Sequence, residues 1–155
     1  MVAKGLLVVN IFLLISIWIF TGWKYAGLPE IVPTHFVVNG PADGYDHKRT
    51  IWFLPSIATF LFFILFAVTR NPNSPMLNVP DSFRNKKSLE LFAYSVLLPL
   101  LLLFGYTLLE SISVAEGKTN TLGNLFFVLL GLLFAVIGTN IFIMFKKGKN
   151  DPIKR

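Results

Sequence analysis

Polar and apolar positions along the chain separate into long blocks. No charged residue falls between Lys4 and Lys24, Arg49 and Arg70, Glu90 and Glu110, or Lys118 and Lys146, and each gap is mostly apolar and at least 19 residues long. A hydrocarbon core of ~30 Å is crossed by ~20 helical residues rising 1.5 Å each. The pattern predicts an all-α integral membrane protein, a four-transmembrane-helix bundle forming a single domain over 1–155. Its helices are expected at about 5–23, 51–69, 89–109 and 122–145, with an ordered loop at about 24–50. The first run exceeds a signal-peptide core of ~7–15 residues, and Gly22-Trp23-Lys24-Tyr25 is a poor cleavage site, so it is read as a span.

Composition agrees: 54% of residues are hydrophobic and 14% charged, too little polar surface to cover a soluble domain. The chain has no cysteine, which removes disulfides, thiolate metal sites and a cysteine nucleophile. The net charge of +6 belongs to topology rather than nucleic acid, because most basic residues flank the apolar runs. With the N-terminus inside, cytoplasmic segments hold ten Lys and Arg and outer segments four, so both termini are expected in the cytoplasm. Trp18, Trp23, Tyr25 and Trp52 then gather at the outer interface.

Polar residues inside the spans are few, and none in mid-span is ionisable, whereas proton relays and ion pathways place acids or bases there. Asn10 and Asn140 fall at similar depth and are candidates for a hydrogen bond between the first and fourth helices, or for bonds to backbone or water. Gly131, Ala135 and Gly138 form a small-residue stripe expected to pack within the bundle, with dimerisation as the other use. Pro99 is expected to kink the third helix, Pro55 to mark the start of the second, and Ser88 to cap the third. The loop from Arg70 to Ser88, broken by three prolines, reads as an irregular connector. That before the fourth helix reads as a plain one. The basic tail from Lys146 is a topology signal and a candidate contact for anionic lipid.

The loop after the first helix carries the most information: LPEIVPTHFVVNGPADGYDHK, Leu28 to Lys48. Pro29 and Pro33 hold their preceding residues extended. Thr34 to Val38 is β-prone, and Asn39-Gly40-Pro41 and Asp43-Gly44 signal turns. Leu, Ile, Val and Phe side chains are expected to anchor the segment on the helix ends as a lid. Its candidate ligand-contact or lid-structuring residues are His35, Phe36, Asn39, Gly40, Asp43, Tyr45 and Lys48. In the structural reading His35 and Asp43 bond loop backbone and Lys48 pairs with an acid; in the functional one they meet a partner. His35 and His47 lie twelve apart, which matches no common zinc spacing, so no metal or cofactor is expected.

This loop resembles the signature of the domain of unknown function 1648 family, approximately Leu-Pro-x-x-Ile-Pro-x-His-Phe followed by Gly, an acid or amide, an aromatic and Lys. Leu28, Pro29, Val32, Pro33, His35, Phe36, Gly40, Asp43, Tyr45 and Lys48 meet it, with Val32 in the Ile position. Arg70-Asn71-Pro72 and Asn78-Val79-Pro80 resemble a second conserved segment of stand-alone members, although Arg84-Asn85-Lys86-Lys87 replaces an acidic stretch. The family includes the N-terminal part of the immunity and signalling membrane protein of a sporulation-delay toxin system. The resemblance implies a prokaryotic, multi-pass plasma-membrane protein and no known chemistry.

The leading functional expectation is a non-enzymatic sensing, immunity or interaction protein whose loop 28–48 meets an extracytoplasmic peptide or protein. The alternatives are a small transporter or channel, and a membrane enzyme using His35 with Asp43 or Asp46 on lipid or peptide.

Overall fold

The computed structural model describes residues 1–38, 41–75 and 77–149. Four long helices, α1 (Val2–Tyr25), α2 (Phe53–Val68), α3 (Lys86–Ala115) and α4 (Leu125–Gly148), are joined by strands β1 (Ile31–Phe36) and β2 (Ala42–His47) after α1. A 3-10 turn, Lys48–Trp52, runs into α2, and another, Asp81–Phe83, precedes α3. Among the described residues, four helical stretches are long and apolar enough to cross a membrane. The all-α expectation is corrected by the antiparallel β1–β2 pair.

The core is arranged around α3, which packs against α1, α2, α4 and β1. Leu89, Ala93, Leu97, Leu101, Leu108 and Ile112 are all buried and recur at helical spacing, so they form one inward stripe. Asn10, Ile17 and Thr21 of α1, and Pro55, Ala58 and Phe62 of α2, form narrower stripes. The remaining faces are apolar and exposed, as a lipid solvent requires. Lipid is as apolar as leucine, so close packing and hydrogen bonds, rather than expulsion of water, hold such helices together.

Helix 3 is longer than its apolar run. Asn85 is its N-cap, with Oδ1 accepting from the Ser88 amide at 2.9 Å, so Ser88 lies in the first turn rather than capping it. The helix also continues past Glu110, because Ser111 and Ile112 are buried against the bundle. It stops at Gly117, whose φ of 71° lets the Gly117 amide reach Val114 O at 3.0 Å and the Lys118 amide reach Ser113 O at 2.9 Å, a Schellman ending. The charges marked the edge of the greasy stretch and not the end of the helix. Pro55 lies in the first turn of α2, where proline is tolerated, and α3 runs on through buried Pro99.

Two packing expectations are revised, although Asn140 does bond its own backbone as the alternative reading had it. Asn10 and Asn140 do not meet; each reaches α3, which lies between their helices. Asn10 Nδ2 donates to Tyr94 O at 2.9 Å, and Asn140 Nδ2 donates to Ser95 Oγ at 3.1 Å and to Val136 O at 2.8 Å. Both bonds to α3 fall one turn before Pro99, where the proline withholds a backbone donor. The stripe of Gly131, Ala135 and Gly138 faces outward, with nothing near a side chain at either glycine, because α4 turns Leu133 and Asn140 toward α3.

The helix ends are tied as well. At the hairpin end, Lys24 Nζ meets Glu116 Oε1 at 2.8 Å, and Pro41 forms an isolated bridge with Thr121, so the connector before α4 lies against the hairpin. At the opposite end the Arg84 guanidinium donates to the carbonyls of Ser74, Leu77 and Val79, which orders the proline-broken connector.

Candidate functional site

The hairpin begins with Pro29 and Pro33, whose fixed φ suits extended chain. β1 and β2 pair antiparallel from Ile31 opposite His47 to Phe36 opposite Ala42, with register irregularities on both sides of His35. Leu28, Val32 and Ala42 are buried and seat the ribbon, with β1 against α3. Buried apolar side chains therefore hold one face of the ribbon, while Ile31, Val38 and Tyr45 stay more than half exposed.

The irregular register brings His35 opposite Gly44. A Cβ at residue 44 would stand 2.8 Å from the Cβ of His35, so the cross-strand approach requires glycine. Asp43-Gly44, expected as a turn, therefore lies inside β2. Beside this contact His35 Nδ1 lies 2.5 Å from Asp43 Oδ1, with side chains 69% and 44% exposed. The two side chains bond each other rather than loop backbone. The carboxylate orients the imidazole, leaving Nε2 as the ring nitrogen available to a partner.

A second polar cluster closes the hairpin base. Glu30 accepts from Lys48 Nζ at 2.9 Å and lies 3.2 Å from His47 Nε2, while the Lys48 amide donates to Glu30 O at 2.8 Å. Glu30 is thus the acid that Lys48 was expected to find. Hydrogen bonding from Lys48, then its charge, holds the Glu30 carboxyl below its ordinary range. His47 Nδ1 accepts from the Arg49 amide at 3.2 Å, so the ring proton belongs on Nε2, facing Glu30. His47 thereby caps the turn into α2. Lys48 Nζ also lies 5.6 Å from the Tyr25 ring centroid, and Tyr25 and Trp18 both flank Trp52, with centroids 5.4 and 5.7 Å away. Nearby, hydrogen bonds from Lys118 and then Lys24 lower the Glu116 carboxyl in the same way.

The structure thus brings His35 and Asp43 together and places Lys48 in the base cluster. Tyr45 hydroxyl bonds Ala42 O at 3.2 Å, and Phe36 is half-buried. Asn39 and Gly40 lie outside the described residues, as do Lys154 and Arg155 of the basic tail. Sequence reasoning missed Glu30 as a site residue, although an acid after Pro29 was its signal. It also missed Gly44 as a packing residue and Thr121 as a neighbour, for which a single sequence offers no signal.

Residues 12–59 match the family model described as domain of unknown function (DUF1648), a stretch running from α1 through the hairpin into α2. An uncharacterised protein from Archaeoglobus fulgidus is 25% identical over 92% of this chain and 85% of its own length. No solved structure matches. The likeness found is to the family; none of these matches is to the sporulation-delay immunity protein.

Proposed function

We propose that this chain is a multi-pass protein of the plasma membrane whose hairpin is an external recognition element, acting without catalysis. The distribution of Lys and Arg, ten against four, supports termini in the cytoplasm and the hairpin outside. The observation that carries the recognition reading is the His35–Asp43 pair. It is displayed on an exposed ribbon whose other face is anchored and whose base is tied by Glu30, His47 and Lys48. A preorganised ribbon loses little freedom on binding. Its exposed strand and ring nitrogen suit an extended peptide or protein segment.

The test uses the natural absence of cysteine. Val38→Cys is expected to react with a membrane-impermeant maleimide in intact cells; reaction only after permeabilisation overturns the orientation. A photo-crosslinking residue at Tyr45 is then expected to give a discrete adduct that falls at least fivefold in His35→Ala and Asp43→Ala. Adducts unchanged in both correctly inserted variants would make the pair structural only.

A membrane-enzyme reading has one observation in its favour, the carboxylate-oriented imidazole. Among the described residues no hydroxyl is hydrogen-bonded to His35, so a nucleophile is not in place. Hydrolysis of a lipid or peptide lost in a folded His35→Ala variant would promote that reading.

A further inference from the structure

At the end opposite the hairpin, a cavity of about 290 Å³ opens between the start of α3 and the end of α4. Phe83, Lys87, Ser88 and Lys147 line its mouth, with Leu91 and Ile143 about one turn deeper and Asn140 at its inner end. Its volume is many times the ~30 Å³ share of one water.

Its two lining cations lack a carboxylate partner among the described residues. Lys24, Lys48, Arg84, Lys86 and Lys118 each lie within 4 Å of a carboxylate. Lys87 and Lys147 have no carboxylate partner among the described residues, and both face this cavity. The Lys147 ammonium lies 3.5 Å from Ser88 Oγ and 5.6 Å from the Phe83 ring centroid, so it is held over the cavity rather than extended away. Two cations that line one cavity without a counter-charge make it electropositive and favour an anion between them.

The walls are built. Phe83 is 4% exposed and packs edge-on against Phe92. A Cβ at Gly148 would come within 2.7 Å of the Pro80 ring, so the end of α4 sits hard against the turn that carries Phe83. One turn below the mouth the wall is apolar and open sideways: Leu91 is 44% and Ile143 42% exposed, on faces that meet hydrocarbon when these helices span a bilayer. A cationic mouth above an apolar, laterally open wall fits an amphiphile better than a free anion.

We propose that this cavity binds the phosphate of an anionic phospholipid headgroup between Lys87 and Lys147. Ser88 supplies a hydroxyl that can donate to it, and the acyl chains run along Leu91 and Ile143. One of its cations, Lys147, belongs to the basic tail, and the other, Lys87, comes from α3, so the site differs from a tail lying on the membrane surface in needing both helices.

The test is native mass spectrometry of the full chain, reconstituted in nanodiscs of phosphatidylcholine with a minor fraction of phosphatidylglycerol. The wild-type chain is expected to retain one phosphatidylglycerol and no phosphatidylcholine on transfer to detergent. The double variant Lys87→Gln with Lys147→Gln is expected to lose about tenfold or more in affinity. Lys146→Gln with Lys149→Gln removes the same charge outside the cavity and is expected to stay within twofold. Equal losses in the two pairs, or none in the first, overturn the site. Complete displacement of the lipid by millimolar inorganic phosphate would assign the cavity to a free anion and overturn the lipid reading. Gly148→Ala, which changes no charge but pushes α4 off Pro80, is expected to weaken retention; retention unchanged there would separate binding from the built walls and overturn this account of them.

Discussion

One distance determines what residue 44 can be. Its backbone passes so close to His35 that a methyl group would stand 2.8 Å from the histidine Cβ, inside any real contact. Gly44→Ala is therefore expected to part the strands and separate His35 from Asp43, at about 1–3 kcal/mol for overpacking. Hydrogen exchange across 31–47 reads this as lost protection. Since the clash is with the His35 side chain, His35→Gly is expected to remove most of the Gly44→Ala penalty, and undiminished damage in that background would place its cause elsewhere. The sequence made Gly44 visible as a turn signal but not as a packing residue, because the cross-strand neighbour depends on an irregular register. Asn10 and Asn140 were legible in a similarly partial way. An amide in a greasy helix must find a partner. Which partner depends on helix order, and placing α3 between α1 and α4 sends both amides to α3.

The hairpin was legible as an ordered, anchored segment from its prolines, its β-prone run and its apolar side chains. Its second strand was not, since Ala42–His47 contains Asp, Gly and Asp, poor strand formers that are carried here by pairing with β1. The base cluster gives the ribbon a pH response of definite sign. Glu30 is lowered from its ordinary 4.5, chiefly by the Lys48 hydrogen bond. A depressed carboxyl contributes stability that is complete above the ordinary value and is lost as pH falls through the lowered one. Protection of the Lys48 amide, which donates to Glu30 O, is expected to be flat from pH 7 to about 5 and to fall below about 4.5, after correction for intrinsic exchange. Lys48→Met is expected to diminish this step by removing the largest of the groups that lower Glu30, leaving the smaller effects of His47 and Arg49. A step of the same size in that variant would assign it to another carboxyl. Glu116, lowered by Lys118 and Lys24, is the nearby control.

Four blocks free of charge sufficed to find the four helices, since that signal depends only on length and solvent. Which helix is central, and how each is rotated, is set by matching surfaces and is not encoded in any one block. The misread stripe on α4 shows the difference. Gly131, Ala135 and Gly138 have the spacing of a close-packed interface, yet α4 is held through Leu133, through Asn140 on Ser95, and through Gly148 on Pro80. The same substitution on this one helix should therefore have opposite effects. Gly131→Ala and Gly138→Ala meet open space and replace a poor helix former, so each is expected to be neutral or to stabilise by up to about 1 kcal/mol. Gly148→Ala must push the end of α4 from the Pro80 ring, at about 1–3 kcal/mol. Thermal unfolding of the three variants in one bicelle preparation distinguishes them. A loss at Gly131 or Gly138 as large as that at Gly148 would mean that the stripe is covered by protein in the membrane, a second chain included. A silent Gly148→Ala would mean that the end of α4 is not docked.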